Sequence, residues 1–267
     1  MNEPGAPRRA AGRILAATGT AVAAAAVAAA AYTGICSCGG TDGSGTATTG
    51  PATAATPAPT GDASITGAVL FEGPVPAETP PDAVKGFAGC IPSGATSKYV
   101  PTVVAGGGKL ANAFVYVKAG LPPGSYAVPA APIVVDQSTC EFQPLVFGAM
   151  VGQEVEFRNS DTLAHNANSK DFNAPMPVPG SSVTKTFRTA GVMLKIHCDI
   201  HPWMRAWAGV LTHPYFATTG ADGGFALKGL VPGAYTVEVW HETLGTQALV
   251  VTVAKGEAKA ITFTFKK

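Results

Sequence analysis

Strand-forming segments occupy the chain from residue 64 to its end, and this pattern restricts the fold more than any other feature of the sequence. Apolar and β-branched runs recur there between clusters of turn residues. The runs at 235–239 and 261–265 alternate apolar and polar residues, as expected where one face of a sheet is buried. The predicted strands are 68–71, 114–117, 133–135, 155–157, 183–187, 192–196, 235–240, 249–253 and 261–265. No convincing helical period follows residue 36, so we predict an all-β protein.

The segment 1–38 has the features of an export signal. Three arginines precede an uncharged stretch, 14–35, that is made mostly of alanine. Cys38 follows a small residue and precedes two glycines, which resembles the lipobox of bacterial lipoproteins, so Cys38 is the predicted lipidation site. Simple cleavage near 29–31 and an uncleaved membrane anchor are the alternatives. The chain is therefore expected to be exported to the bacterial periplasm or cell envelope and to be tethered there by its lipid.

The segment 39–63 is predicted to be a disordered linker. It consists almost wholly of Gly, Ala, Thr, Ser and Pro and contains no aromatic residue, so it cannot bury enough apolar surface to fold. The chain from Ser64 onward is long enough for one or two small cores. The net charge is +1, charged residues make up 13% of the chain, and no basic run follows residue 13. Nucleic acid is therefore not an expected partner.

Four side chains form the pattern in this sequence that indicates a metal site. Cys198, His201 and Met204 lie close together in the run 197–204, and His165 lies upstream. A thiolate, two imidazoles and a weak thioether are the ligand set of blue-copper electron carriers. The sequence predicts one mononuclear copper site with these four ligands and a redox function.

Other interpretations of the same residues fit less well. Zinc does not require a methionine, a dinuclear copper centre needs two cysteines in the loop, and multicopper oxidases need more than the five histidines present. A buried structural cysteine with unrelated histidines is the non-metal alternative. His197 should point away from Cys198 because neighbouring residues of a strand face opposite sides. A second metal site shared by His213 and His241 is a further, weaker alternative.

The region 132–211 resembles a cupredoxin. The resemblance rests on Phe142-x-Pro144, the run 151–159, Asn159-Ser160-Asp161-x-x-x-His165-Asn166, and the spacing of the Cys-His-Met loop, which is that of amicyanin-like members. It implies a Greek-key sandwich over 130–212 with a type 1 copper site. It also implies that the Asn166 side chain ties the two ligand-bearing loops together, as ligand positioning requires.

A second resemblance is to transthyretin-like, carboxypeptidase regulatory-like domains. The motif from Gly220 to Val237, with Asp222-Gly223-Gly224-Phe225 and Pro232-Gly233-x-Tyr235, matches their strand, turn and strand signature. Residues 213–267 provide too few strands alone, and the opening pattern of the same family is found at 65–69 and 113–117. We therefore expect one transthyretin- or Ig-like sandwich split between 64–129 and 213–267, with the cupredoxin inserted. The rival arrangement is an enlarged cupredoxin over 64–212 with a small appendage.

The cysteine count indicates an oxidising compartment. Cys36 leaves with the signal, Cys38 carries lipid and Cys198 binds metal, which leaves Cys90 and Cys140 as a predicted disulfide. Two separate buried thiols are the alternative.

The expected function is that of an exported type 1 copper protein, not an enzyme, that passes single electrons between redox proteins. Pro202 and Trp203 lie between two ligands and could form an apolar docking face for such a partner, although Trp203 could equally pack inside the sandwich. No catalytic residues are predicted. Copper storage, delivery or sensing is a second hypothesis, and a non-metal binding or adhesion module is a third.

Overall fold

Almost all regular structure in the described residues is β-strand. The computed structural model describes residues 56–77, 87–91 and 101–267, which lie in one unit spanning 53–267. The strands are β1 Ala63–Glu72, β2 Ala105–Gly106, β3 Lys109–Leu110, β4 Phe114–Ala119, β5 Ile133–Ser138, β6 Glu141–Gln143, β7 Val146–Met150, β8 Glu154–Asn159, β9 His165–Ser169, β10 Phe172–Met176, β11 Ser182–Thr186, β12 Gly191–His197, β13 Arg205–Leu211, β14 Phe216–Thr218, β15 Gly224–Leu230, β16 Gly233–His241, β17 Gly245–Val253 and β18 Ala258–Lys266. A single turn of 3-10 helix covers Ala88–Cys90. The predicted all-β class is confirmed.

Strands β5 to β13, residues 133–211, form two sheets that we call the inner sandwich. One sheet has the order β11-β8-β5-β6 and the other β10-β9-β12-β13-β7. The pairs β5 with β8 and β7 with β13 are parallel, and the remaining pairs are antiparallel. Aromatic and aliphatic side chains from both sheets, among them Phe157, Phe187 and Ile196, fill the core between them. The copper-ligand candidates all lie at one end of this sandwich.

Strands β1 to β4 and β14 to β18 form the outer sandwich, from residues 63–119 and 216–266. One sheet has the order β14-β4-β16-β17, and the other joins β15, β1, β3 and β2, with β18 parallel to β1. The alternation of apolar and polar residues in the sequence corresponds to alternating burial in this sandwich. Tyr235, Val237 and Val239 are buried, while Ala234 is exposed. Burying alternate residues on one face is what stabilises each sheet against the other.

The two sandwiches meet through a small apolar cluster. It contains Phe114, Tyr116, Val146, Met193 and Leu211, with Phe216, Trp207 and Trp240 packed against it. The chain leaves the outer sandwich after β4, builds the inner sandwich, and returns at β14. At the return point the Val117 amide donates to the Tyr215 carbonyl over 3.0 Å.

The predicted linker extends too far toward the folded region. Ala63, its last residue, begins β1 and is fully buried, and the Ala58 amide donates to the Ser125 carbonyl over 2.8 Å. A segment that is poor in apolar residues can still be ordered by backbone hydrogen bonds, because these do not require apolar side chains. The predicted signal, Cys38 and the rest of the linker up to residue 55 lie outside the described residues. Within the described part of the chain, no helix is long and apolar enough to cross a membrane.

Candidate metal centre

Three of the four predicted ligands converge at one end of the inner sandwich. The Nδ1 atoms of His165 and His201 are 2.9 Å apart, and Cys198 Sγ is 3.7 Å from His201 Nδ1. One donor atom of each residue lies within 4.8 Å of the other two. Two nitrogens that each lie about 2.0–2.1 Å from a shared ion are separated by about 3 Å. The arrangement therefore has the dimensions of a site that could hold a metal ion.

The loop between β12 and β13 carries Cys198, His201 and Met204. The Met204 amide donates to the His201 carbonyl over 2.9 Å, which closes a β-turn, and Pro202 occupies the position where turns favour proline. The Cys198 amide donates to the Met204 carbonyl over 3.2 Å, so the two ends of the loop are joined. Met204 is 1% exposed and packs in the same core cluster as Cys198. The fourth predicted ligand thus lies on the same closed loop.

Asp161 orients the imidazole of His165. The carboxylate Oδ2 is 2.9 Å from His165 Nε2, while the same side chain accepts hydrogen bonds from the Thr139 and Cys140 amides over 2.6 and 2.7 Å. A proton held on Nε2 leaves the Nδ1 lone pair free, which is the form a metal ligand needs. The sequence prediction did not assign a role to Asp161, although its position four residues before His165 within the Asn-Ser-Asp motif was a usable signal.

The electrostatics of the site favour a neutral His201. Burial is the largest cause and the nearby His165 adds to it, so that the pKa of His201 is lowered to about 4 although Asp161 acts in the opposite direction. His201 is therefore unprotonated at neutral pH, which is the state in which it could bind a metal.

Asn166 joins β9, whose first residue is His165, to the loop that carries Cys198. Its side-chain oxygen accepts the Asp199 amide over 2.8 Å, and its nitrogen donates to the Asp199 carboxylate over 2.6 Å. Asn168 and Asn173 also donate to Asp199, and His197 Nε2 lies 3.2 Å from it. These hydrogen bonds, the one from Asn168 first, lower the pKa of the Asp199 carboxyl. The residue after Cys198 therefore carries a negative charge and fixes the loop to β9 and β10.

The His201 imidazole is covered, and Trp203 adopts the inward packing that the sequence left open beside a docking face. Trp203 is only 6% exposed: its indole N–H donates to the Cys140 carbonyl over 3.1 Å, and its ring contacts those of His201 and Phe87. Phe87 also lies edge-on to His201, with ring centroids 4.8 Å apart. His201 itself is 1% exposed, and of the predicted docking pair only Pro202 is exposed. The buried hydrogen bond and the aromatic contacts turn the tryptophan inward.

The segment 87–91 is held over the site by a disulfide. Cys90 and Cys140 are bonded, with their Cα atoms 5.4 Å apart, as the cysteine count predicts. Both sulfurs lie within 4.8 Å of an imidazole nitrogen of His201. The cover formed by Phe87 had no signal in the sequence, because it depends on a contact between residues that are far apart in the chain.

Comparisons with known proteins find cupredoxins and copper proteins by structure. The structural neighbours include a copper-containing nitrite reductase from Thermus scotoductus SA-01, with 26% identity, 34% of this chain and 25% of that chain covered, and a TM-score of 0.27. A purple cupredoxin from Nitrosopumilus maritimus has 26% identity, 29% and 98% coverage and a TM-score of 0.27. A reduced mutant of amicyanin has 27% identity, 31% and 85% coverage and a TM-score of 0.29. This chain thus spans about a quarter of the nitrite reductase. No family model and no curated protein matches.

The remaining histidines stand apart from the centre. The His197 side chain is 44% exposed and faces Asp199, in agreement with the expected outward orientation. His213 and His241 each make local contacts, His213 accepting the Tyr215 amide over 3.2 Å and His241 lying 3.4 Å from the Thr243 amide. In the part of the chain that the structure describes, neither belongs to a group of side chains that could hold a metal.

Proposed function

We propose that the chain is an exported type 1 copper protein that passes single electrons between redox proteins. The observation that carries the proposal is the convergence of His165 Nδ1, His201 Nδ1 and Cys198 Sγ, with Met204 on the same loop. A thiolate with two imidazoles and a thioether suits copper in both of its common oxidation states. When bound, copper would supply reversible one-electron chemistry.

The side chains around the ligands support this role because they hold them in place. The carboxylate of Asp161 favours the form of His165 that is protonated on Nε2, and the Asn166–Asp199 hydrogen bonds join β9, which begins with His165, to the loop that carries Cys198. Cys198 and His201 are 2% and 1% exposed, so bulk water is kept from the donor atoms. Fixed ligands need little rearrangement when an electron arrives or leaves, which favours fast electron exchange.

The burial of the site argues against two other functions. A thiol beside an imidazole could act as a nucleophile, but Cys198 is only 2% exposed and offers a substrate no access. Copper delivery requires a recipient to reach the ion, whereas Phe87, Trp203 and the Cys90–Cys140 disulfide cover His201. Electron transfer needs no such access, since electrons cross a few ångströms of protein.

The cellular setting is also part of the proposal. The export signal, the lipidation of Cys38 and a location in the bacterial periplasm or cell envelope rest on the sequence of residues 1–38. A disulfide between Cys90 and Cys140 is compatible with an oxidising compartment. The partners would be a donor and an acceptor redox protein, met at a surface near the covered His201.

We further propose two structural domains, a cupredoxin at 130–212 inserted into a regulatory-like sandwich at 64–129 and 213–267. The pairing of β1 with β15 and β18 supports this division, because it joins the start of the folded region to its last strands. The hydrophobic cores of the two sandwiches are also separate, apart from the small cluster between them.

Copper binding to the purified full chain tests the proposed function. With copper(II), we expect an intense thiolate-to-copper absorption band in the visible range and a reversible one-electron potential. Cys198→Ser should abolish the band, whereas the control His213→Asn, at a histidine away from the centre, should keep it. A colourless copper(I) complex would support storage or delivery instead, and the absence of copper binding would leave a non-metal binding module.

A further inference from the structure

An ion pair joins the two sandwiches directly beside the metal centre. Arg205 Nε and Nη2 donate to the two carboxylate oxygens of Glu242 over 2.7 and 2.8 Å, and the Trp207 indole N–H donates to the same carboxylate over 3.0 Å. Arg205 is the first residue of β13 and follows Met204, whereas Glu242 follows the last residue of β16 in the outer sandwich. We call these three residues the clamp.

The clamp is more buried than the other ion pairs of the described residues that contain lysine or arginine. The side chains of Arg205 and Glu242 are 17% and 6% exposed, while the arginine of the Arg158–Glu156 pair is 50% exposed. Burial reduces screening by solvent, and the planar guanidinium matches a carboxylate in only a few orientations. A buried bidentate pair therefore fixes the direction of the Arg205 backbone more strictly than a surface pair could.

The position of Arg205 allows the clamp to act on the ligand loop, which is the loop between β12 and β13 that carries Cys198, His201 and Met204. Arg205 pairs in register with His197, the residue before Cys198, so it lies where the two ends of the loop meet. On the loop side of that pair, the Cys198 amide bonds to the Met204 carbonyl and the Met204 amide bonds to the His201 carbonyl. A displacement of Arg205 would therefore move Met204 and change the turn that carries His201.

We propose that Glu242 is a positioning residue for the metal centre, which it acts on through Arg205. The outer sandwich then has a defined task, since it supplies the carboxylate that holds the end of the ligand loop. The proposal rests on the proposed function only in so far as the ligands bind copper, because the positioning of the loop is a property of the metal-free protein as well.

Hydrogen exchange of the metal-free full chain provides the first test. In Glu242→Gln the carboxamide places an N–H where Arg205 and Trp207 donate, so the clamp should open. We expect the Met204 amide to exchange about tenfold faster than in the wild type, which corresponds to about 1.4 kcal/mol of local opening free energy. Arg205→Lys keeps the charge but loses the bidentate geometry, and should change the exchange in the same direction, which guards against a Glu242 variant that does not fold.

Glu238→Gln is the matched control. Glu238 is also a buried acid of the outer sandwich, but its side chain accepts hydrogen bonds from Tyr116 and Lys118 of β4 and not from Arg205 or Trp207 of β13. Its loss should destabilise the outer sandwich without a selective effect on the Met204 amide. If the Met204 amide exchanges no faster in Glu242→Gln than in Glu238→Gln at equal global stability, the positioning role is wrong.

The copper-loaded protein provides a second readout. The positioning role predicts that Glu242→Gln shifts the thiolate-to-copper band and the reduction potential, whereas Glu238→Gln leaves both at the wild-type values. Unchanged values in Glu242→Gln would overturn the proposal. A wild type that binds no copper would refute the proposed function, and hydrogen exchange alone would then decide on the clamp.

Discussion

The carboxylate of Asp161 accepts several hydrogen bonds at the candidate metal centre. It accepts a hydrogen bond from His165 and two more from the backbone amides of Thr139 and Cys140. The same side chain therefore connects a predicted ligand to the residue that forms the disulfide with Cys90. A carboxylate that accepts a hydrogen bond from a ligand histidine fixes the orientation of its ring.

At this scale we predict that Asp161→Asn weakens copper binding about 10- to 100-fold, the range found for partners that orient metal-bound histidines. The amide cannot favour the Nε2-protonated form of His165 as a carboxylate does. Competition with a chelator would measure the affinity for copper(II). Asp171→Asn, at an exposed aspartate, is the control, and equal affinities for Asp161→Asn and the wild type would contradict the prediction.

At the scale of elements, two glycines let the sandwiches approach each other. A Cβ on Gly209 in β13 would lie 2.2 Å from Phe114 Cζ, and one on Gly148 in β7 would lie 2.3 Å from the Phe216 ring. Phe114 and Phe216 stack with ring centroids 5.8 Å apart. The aromatic rings of β4 and β14 thus fill two gaps in the neighbouring pair β7 and β13.

We predict that Gly209→Ala lowers the free energy of unfolding by about 1–3 kcal/mol, because the added methyl group overpacks the contact with Phe114. Urea unfolding would measure the loss. Gly106→Ala is the control, since a Cβ there meets nothing within 4 Å. In the Phe114→Leu background, Gly209→Ala should cost less stability than it does in the wild type, because the smaller side chain leaves room for the added methyl group. An equal cost in both backgrounds would argue against a direct clash.

The segment 87–91 acts as a cover whose position depends on one covalent bond. The disulfide joins residues 50 apart in the chain and keeps Phe87 against His201. A loop of this length constrains the unfolded chain, so Cys90→Ser/Cys140→Ser should cost about 2–4 kcal/mol of stability.

The same double variant should also expose the His201 imidazole. We expect diethyl pyrocarbonate to modify His201 faster in the metal-free double variant than in the wild type, where the residue is 1% exposed. His197, already 44% exposed on its side chain, is the internal control and should react at the same rate in both proteins. Equal protection of His201 in both proteins would mean that Trp203 alone covers it.

For the whole molecule, we predict that the metal-free protein loses stability as the pH falls below about 6.5, the ordinary histidine pKa. Burial lowers the pKa of His213, so the unfolded chain binds a proton there more readily than the folded one. The stability that this histidine contributes is complete at neutral pH and declines in acid. Urea unfolding at several pH values should show a weaker acid loss in His213→Asn, whose side-chain oxygen can still accept the Tyr215 amide. An unchanged slope would contradict the prediction.

The sequence predicted the features that depend on local pattern. Cys198, His201 and Met204 lie on one short loop, so their proximity follows from spacing, and the long alternating strands follow from periodicity. The two-residue strands β2 and β3 are too short to show a period. The contact of Phe87 with His201 and the pair Arg205–Glu242 join distant parts of the chain, and no local rule specifies such partners.

The strand neighbours of β1 have a consequence for how the protein is made. Both β15 and β18 come near the end of the chain, whereas every partner of β5 to β13 lies within that stretch. In a chain that emerges from its N-terminal end, the inner sandwich can therefore fold while β1 to β4 still lack their main partners, the last strands of the chain. The earliest strands to emerge are then among the last to be paired, and a chaperone that binds emerging chains would find its longest-lived target there.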